Sequence, residues 1–152
     1  MALTLRINGQ THEIDADPAT PLIFILRNRL GLMGVKLGCG LEQCGACAVL
    51  ADGQSVLSCS KAASEFVGKE IVTIEGLAAN AVQQAFIEEN AAQCGYCTAG
   101  IVVAVTALLA EQPNPDRAAV NMALHKHLCR CGSQPRVLRA IERLAREGAP
   151  NA

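Results

Sequence analysis

Three cysteines crowd one short stretch of the chain, where residues 38–47 have the sequence GCGLEQCGAC. Cys59 follows as a fourth after eleven intervening residues. The C-x4-C-x2-C spacing of Cys39, Cys44 and Cys47 is that of plant-type [2Fe–2S] sites, whereas a four-cysteine zinc site fits these intervals poorly. Such a cluster is anionic, so its loop must bring backbone N–H groups to the sulfurs, and the small residues between the cysteines leave room for that. We therefore expect these four cysteines, the first group, to bind one [2Fe–2S] cluster.

The other four cysteines form a second group, in which two residues separate Cys94 from Cys97 and one separates Cys129 from Cys131. Each pair precedes a predicted helix, and the N-terminus of a helix favours a nearby negative charge. Cys129 and Cys131 cannot both act as ligands from one regular helix, because residues i and i+2 face apart. A non-helical turn is therefore expected over 128–134. This placement favours a second cluster.

Two other interpretations of the second group stay open on spacing alone. Zinc would accept Cys94 and Cys97 together with some of His125, His127 and the last two cysteines. A redox-active dithiol of the thioredoxin kind at 94–97 would need a βαβ context, whereas the flanking segments are predicted to be helical. If the second group binds a cluster, His125 and His127 are expected to be ordinary residues on a helix surface.

The composition excludes several classes of protein. The chain has 152 residues, of which 51% are hydrophobic, and its formal net charge of −1 provides no attraction for nucleic acid. The first residues show no signal-peptide pattern. The longest apolar run, 99–110, is shorter than the ~18–20 residues that a membrane-spanning helix needs. Clustered cysteines in a reducing compartment bind metal more often than they form disulfides, so a disulfide scaffold is disfavoured. We expect a cytoplasmic protein, either free or held at a membrane through a partner.

Residues 1–76 are predicted to form a small sheet with one helix packed across it. Apolar alternation around the Asn8-Gly9 pair indicates a hairpin, and Asp52-Gly53 indicates another. Thr20 and Pro21 are suited to begin the helix as N-cap and first residue, and Gly31 to end it. The predicted strands cover 3–7, 10–14, 47–50, 55–59 and 71–74.

Residues 77–152 are predicted to form a second, helical domain, because the hydrophobic period changes near residue 76. Asn80 should cap its first helix, and Asn114 with Pro115 should begin its third. The adjacent carboxylates Glu88 and Glu89 are expected to be solvated. The same is expected of the arginine face of the last helix, with partner docking less favoured. The predicted helices cover 81–90, 98–111, a segment from 115, and 135–147, and the arginine face consists of Arg136, Arg139, Arg143 and Arg146.

Four motifs in this order carry a resemblance to a known family: residues 38–47, TIEGL at 73–77, QCGYC at 93–97 and LCRC at 128–131. Over nearly its whole length the chain resembles the small iron–sulfur subunit of molybdenum hydroxylases, the xanthine oxidase and aldehyde oxidoreductase family. The resemblance implies an α+β protein. A ferredoxin-like β-grasp domain over 1–76 would precede a four-helix bundle over 77–152, and each domain would hold one [2Fe–2S] cluster.

The resemblance also implies an electron-transfer subunit of an oxidoreductase complex. A large partner subunit would hold a molybdenum–pterin cofactor and hydroxylate the substrate. Electrons would pass to the second cysteine group, then to the first group, and then to FAD or haem in a flavin or cytochrome c partner. Gln93 and Cys131 would lie against the pterin. No catalytic residue is expected in this chain, which lacks a dinucleotide-binding glycine motif, a P-loop and a nucleophile elbow.

Two departures from the family pattern bear on the substrate. Ala99 stands where the family commonly has proline, and residues 132–136 are GSQPR where many members have Thr-Gly-Tyr. The C-R-C-G ending resembles nicotinate- and isoquinoline-type dehydrogenases and indicates a nitrogen heteroaromatic substrate, with an aldehyde-oxidising or xanthine-type complex as the alternative. A free-standing ferredoxin-like carrier is a further alternative, disfavoured by the helical domain. A zinc-stabilised interaction module is another, and a brown colour would exclude it.

Overall fold

The first half of the chain forms a five-stranded mixed sheet. We describe residues 2–77 and 80–148 of a computed structural model. The strand order is β2-β1-β5-β3-β4, with β1 and β5 parallel and the other neighbours antiparallel. The strands are β1 (Ala2–Ile7), β2 (Gln10–Asp15), β3 (Ala48–Ala51), β4 (Gln54–Leu57) and β5 (Glu70–Val72).

Both predicted hairpin turns are present. Asn8 and Gly9 have φ values of 52° and 76°, and Asp52 and Gly53 have 50° and 82°, so each turn has the two positive φ angles that a two-residue hairpin loop demands. The predicted strand over 55–59 is too long at its C-terminal end, because β4 ends at Leu57. Ser58 lies beyond it, where its hydroxyl donates to the carbonyl of Cys47 at 2.7 Å.

The helix of the sheet domain is short and irregular. It consists of α1 (Leu22–Phe24) followed by a π-helical turn over Ile25–Arg29, and Leu22 and Leu26 are fully buried against the sheet. The prediction that Thr20 is the N-cap of this helix is wrong. Pro21 takes the N-cap position with extended backbone, because it forms a β-bridge with Ala62 and so lies outside the helix.

Residues 80–148 contain four helices, as predicted for the bundle. Asn80 caps the first, since its side chain accepts from the N–H of Gln83 at 2.9 Å. The predicted start of the third helix at Pro115 with Asn114 as its cap is wrong. Asp116 is the cap, because its carboxylate accepts from the N–H of Ala119 at 2.8 Å. The helices are α2 (Ala81–Glu88), α3 (Thr98–Glu111), α4 (Arg117–Leu124) and α5 (Gln134–Glu147).

The central helix α3 connects the two halves. Seven of its residues from Gly100 to Thr106 are all buried, and Val103 packs against Ala48 and Leu50 of β3. Its other faces belong to the core of the helical domain, with Val137 and Ile141 of α5 in the same cluster. Within 2–77 and 80–148, none of the helices combines the length and the apolarity needed to cross a membrane.

Charged residues between α2 and α5 are solvated, as expected, and they also form ion pairs that the sequence did not predict. Arg143 Nη2 lies 2.5 Å from a carboxylate oxygen of Glu88, and Arg139 Nε lies 3.2 Å from one of Glu89. Two of the four arginines of the last helix therefore bridge to the neighbouring helix, and the two adjacent carboxylates are their partners. The helical periodicity predicted the shared arginine face but not the helix that lies opposite it.

Candidate metal centres

The loop over 38–47 directs its backbone N–H groups at sulfur. The Sγ of Cys39 accepts from the N–H groups of Gln43 at 3.2 Å and Leu41 at 3.3 Å. The same loop reaches Cys59, which arrives from beyond β4, because the N–H of Glu42 donates to its Sγ at 3.4 Å. A loop that surrounds thiols with N–H donors suits an anionic iron–sulfur cluster.

The four thiols of the first group form an outer and an inner pair. Cys39 is exposed and hydrogen-bonds with Cys44, and the N–H groups of Gln43 and Leu41 lower the pKa of the Cys39 thiol to about 7. Cys47 and Cys59 are buried, and burial together with the contact with Cys59 raises the pKa of Cys47 to about 12. Two pairs of thiols match the needs of a two-iron cluster, in which each iron takes two thiolates.

Gly38 leaves the space that this loop requires. A Cβ at residue 38 would lie 2.7 Å from the Sγ of Cys44, which is inside van der Waals contact. Any other residue at this position would therefore displace a candidate ligand. The residues present thus fit a [2Fe–2S] cluster, as the spacing predicted.

The second group assembles where α3 and α5 begin. Cys97 is the N-cap of α3, and Cys129 and Cys131 lie in the non-helical turn that ends at Ser133, the N-cap of α5. These thiols also form two pairs, Cys94 with Cys131 and Cys97 with Cys129. The N-termini of two helices therefore face one set of four thiols, as expected for an anionic centre.

The second group repeats the contrast between outer and inner thiols. Cys94 is exposed, and the N–H of Tyr96 and the thiol of Cys131 lower its pKa. Burial and the neighbouring Cys129 raise the pKa of Cys97 to about 11. Burial acts to raise the pKa of Cys129, but hydrogen bonds with Ser133, Cys131 and Cys97 together outweigh it and lower that pKa to about 7.

Ser133 is a functional residue that sequence reasoning missed. Its side chain is buried, and its hydroxyl lies 3.0 Å from the Sγ of Cys129. Next to it, the side-chain amide of Gln134 donates to the carbonyl of Cys129 at 2.9 Å. A serine at the N-cap of the helix after the last cysteine is the sequence signal that could have identified it.

The expectation that both histidines lie on a helix surface is correct for His125 and wrong for His127. His125 is exposed at the end of α4. His127 is half-buried against Gly45, and burial, with the charge of His125 second, lowers its pKa to about 4. Across the described ranges no three His, Cys, Asp or Glu side chains are placed to share a single metal ion.

Gln93 lies on the surface beside the second group. It is exposed, as are Cys94 and Gly95, so this part of the loop faces solvent in the isolated chain. The first group has an exposed side of its own at Cys39 and Leu41. Each set of thiols therefore has one side buried in the protein and another open for contact with a second molecule.

Two family models match the chain and together span most of it. Residues 5–77 match a 2Fe-2S iron-sulfur cluster binding domain, and residues 73–142 match a [2Fe-2S] binding domain. Each half of the chain is therefore a [2Fe–2S]-binding domain.

The chain is similar to components of several oxidoreductases. It is 47% identical to one subunit of the nicotinate dehydrogenase of Pseudomonas putida, over 94% of each chain. It is 40% identical to one subunit of a probable xanthine dehydrogenase of Bacillus subtilis, over 94% of this chain and 84% of that one.

A solved structure confirms the α+β fold. A chain in the crystal structure of quinoline 2-oxidoreductase from Pseudomonas putida 86 superposes with a TM-score of 0.89 and 36% identity. The match covers 99% of this chain and 98% of that one. The two matching domain families, the similar proteins and the shared fold all support the family resemblance that the four sequence motifs indicated. The chain belongs to the small iron–sulfur subunits of molybdenum hydroxylases, and it is the electron-transfer subunit of an oxidoreductase complex.

Proposed function

We propose that each cysteine group holds one [2Fe–2S] cluster and that the chain divides into a domain over 1–76 and a domain over 77–152. The paired thiols support this assignment, since each group offers two ligands to each of two irons. The N–H groups aimed at Cys39 and Cys59 and the space at Gly38 support it independently for the first group. The ligands are Cys39, Cys44, Cys47 and Cys59 for the first cluster and Cys94, Cys97, Cys129 and Cys131 for the second.

The electrons are proposed to enter at the second group and leave from the first. A partner subunit with a molybdenum–pterin cofactor would dock at the exposed loop of Gln93 and Cys94, where Cys131 is half-buried. An acceptor subunit with FAD or haem would dock at the exposed side of Cys39 and Leu41. Each cluster would carry one electron at a time. The chain would supply the ligands of the clusters, the N–H donors to their sulfurs and the surfaces at which the partner subunits dock.

The substrate of the complex is proposed to be a nitrogen heteroaromatic compound, and its location the cytoplasm. The names of two similar proteins, nicotinate dehydrogenase and quinoline 2-oxidoreductase, support that substrate class. The C-R-C-G ending at 129–132 supports it as well. The 40% identity to part of a probable xanthine dehydrogenase is the observation that favours the alternative, a xanthine-type complex.

The arrangement of eight cysteines as two sets of paired thiols carries the proposal. We expect four iron and four acid-labile sulfide per chain after anaerobic purification, two of each per cluster. Cys44→Ser should remove or distort the first cluster alone, and Cys94→Ser the second alone, as measured by the two electron paramagnetic resonance signals of the reduced protein.

The two variants are matched controls for each other, because each replaces one exposed or half-exposed thiol in its own group. Stoichiometric zinc with only two iron would contradict the second site. Loss of only the first group's signal in Cys94→Ser would contradict the division into four and four. The metal-containing subunits that copurify with the wild-type chain, and their oxidation of nicotinate against xanthine, test the partner and the substrate.

A further inference from the structure

Ser133 stands at the start of α5, but its hydroxyl does not cap that helix. The side chains of Asn80 and Asp116 each accept a backbone N–H at the start of α2 and α4, as N-cap side chains usually do. Ser133 is the N-cap residue of α5, and its side chain makes no such bond. Its carbonyl oxygen accepts the N–H groups of Arg136 and Val137, each at 3.0 Å. The hydroxyl is therefore available for a different partner.

That partner is the sulfur of Cys129. The hydroxyl lies 3.0 Å from the Sγ of Cys129, and Ser133 is only 1% exposed, so water does not compete for the bond. In the free thiol either atom could donate. A thiolate that binds iron carries no proton, so in the loaded protein the hydroxyl must donate to the sulfur. The side-chain amide of Gln134 donates to the carbonyl oxygen of Cys129 at 2.9 Å and holds the same backbone in place.

Backbone groups also donate to this sulfur. The N–H groups of Ser133 and Cys131 both form hydrogen bonds with the Sγ of Cys129. Neither of these bonds depends on the side chain at residue 133. A substitution of Ser133 that keeps the backbone in place therefore removes the hydroxyl alone from the donors around Cys129.

The first group has a buried serine of its own, and its hydroxyl bonds to oxygen. Ser58 precedes Cys59 and is fully buried. Its hydroxyl donates to the carbonyl oxygen of Cys47 at 2.7 Å. A buried serine thus lies beside a candidate ligand in both groups, and of these two serines Ser133 is the one whose hydroxyl bonds to sulfur.

We propose that Ser133 is a positioning residue that raises the reduction potential of the second cluster through its hydrogen bond to Cys129. This inference rests on the proposed function, in which each group holds one [2Fe–2S] cluster. Reduction adds one negative charge to a cluster, so a hydrogen bond to a ligand sulfur stabilises the reduced form more than the oxidised form. The second cluster gains one electron, which the partner's cofactor loses, and Ser133 makes that transfer more favourable.

Three variants of the full, cluster-loaded chain test this role. Ser133→Ala removes the hydroxyl and keeps the backbone N–H, and Ser133→Thr keeps a hydroxyl at the same position. Ser58→Ala is the matched control, because it removes a buried hydroxyl that is bonded to oxygen. The reduction potential of each cluster is measured by a redox titration followed by electron paramagnetic resonance. The signal that Cys94→Ser loses identifies the second cluster.

We expect Ser133→Ala to lower the reduction potential of the second cluster and to leave that of the first unchanged. Loss of one hydrogen bond to a charged sulfur should decrease the equilibrium constant for reduction roughly tenfold, which is about 59 mV for a one-electron couple. In Ser133→Thr and in Ser58→Ala the second cluster should keep the wild-type potential.

Iron and sulfide contents separate failure of this inference from failure of the proposed function. A wild-type chain with fewer than two clusters would contradict the proposed function. A wild-type potential of the second cluster in fully loaded Ser133→Ala would overturn the role of Ser133 and leave the cluster assignment intact. An equal shift in Ser133→Thr or in Ser58→Ala would overturn it as well, because the effect would then not come from the hydroxyl at residue 133.

A further variant covers the case in which Ser133→Ala does not load the second cluster. Ser133→Gly also removes the hydroxyl, and the same titration of this variant then decides. If neither variant loads, the hydroxyl holds the loop together rather than setting the potential, and the proposal is overturned.

Discussion

Gln93 is the residue outside the two cysteine groups with the clearest proposed role. Its amide can both donate and accept, and it is exposed beside Cys94 rather than bonded within a core. We expect Gln93→Leu to leave iron and sulfide contents unchanged. In the assembled complex it should slow cluster reduction by substrate roughly two- to tenfold, as the loss of one hydrogen bond of about 0.5–1.5 kcal/mol would. Stopped-flow absorbance of the complex measures this rate.

Gln112→Leu provides a control for that variant, because Gln112 is an exposed glutamine at the opposite end of α3. We expect substrate to reduce the clusters of this variant at the wild-type rate. Equal rates in all three proteins would show that Gln93 has no part in electron entry.

Some single residues were predictable from sequence and others were not. Cysteine spacing predicted a cluster at the first group, because a cluster imposes short, characteristic intervals on a loop. For the second group, spacing left zinc and a dithiol open, and the family resemblance favoured a cluster. The contacts of Ser133 with Cys129 and of His127 with Gly45 were not predicted. The first depends on the angle at which α5 begins, and the second on how the two halves pack, and neither leaves a periodic pattern in the chain.

At the scale of elements, the start of α4 offers a direct test of helix capping. The carboxylate of Asp116 accepts the N–H of Ala119, and its loss should cost about 1 kcal/mol of helix stability. We expect Asp116→Ala to lower the melting temperature of the helical domain, measured by circular dichroism at the helix band. Asn114→Ala is the matched control, since Asn114 lies outside the helix. A larger effect of Asn114→Ala would contradict the observed helix start.

The elements that sequence predicted well are those with strong local signals. Asn8-Gly9 fixes its hairpin because both residues need positive φ, and Asn80 has the side chain that caps α2. The start of the helix near Pro21 was harder to predict, because Pro21 forms a β-bridge with Ala62 and therefore lies outside the helix. That bridge is a tertiary contact, and no local rule anticipates it. The same holds for Arg139 and Arg143 of α5, which pair with Glu88 and Glu89 at the C-terminal end of α2.

At the scale of the whole molecule, the chain is the electron-transfer subunit of an oxidoreductase complex. We expect the isolated, cluster-loaded chain to be bleached by dithionite and to hydroxylate neither nicotinate nor xanthine. The hydroxylation is proposed to take place at the molybdenum–pterin cofactor of the partner subunit, so the isolated chain should not carry it out. Addition of the molybdenum subunit should restore reduction of both clusters by substrate. Substrate turnover by the molybdenum-free chain would contradict this conclusion.

The contrast between outer and inner thiols also bears on how the protein matures. Cys47, Cys59 and Cys129 are buried in the folded chain, whereas Cys39 and Cys94 remain exposed. We therefore expect a cluster donor to contact an exposed thiol of each group first. We expect each cluster to be delivered from the exposed side of its own group.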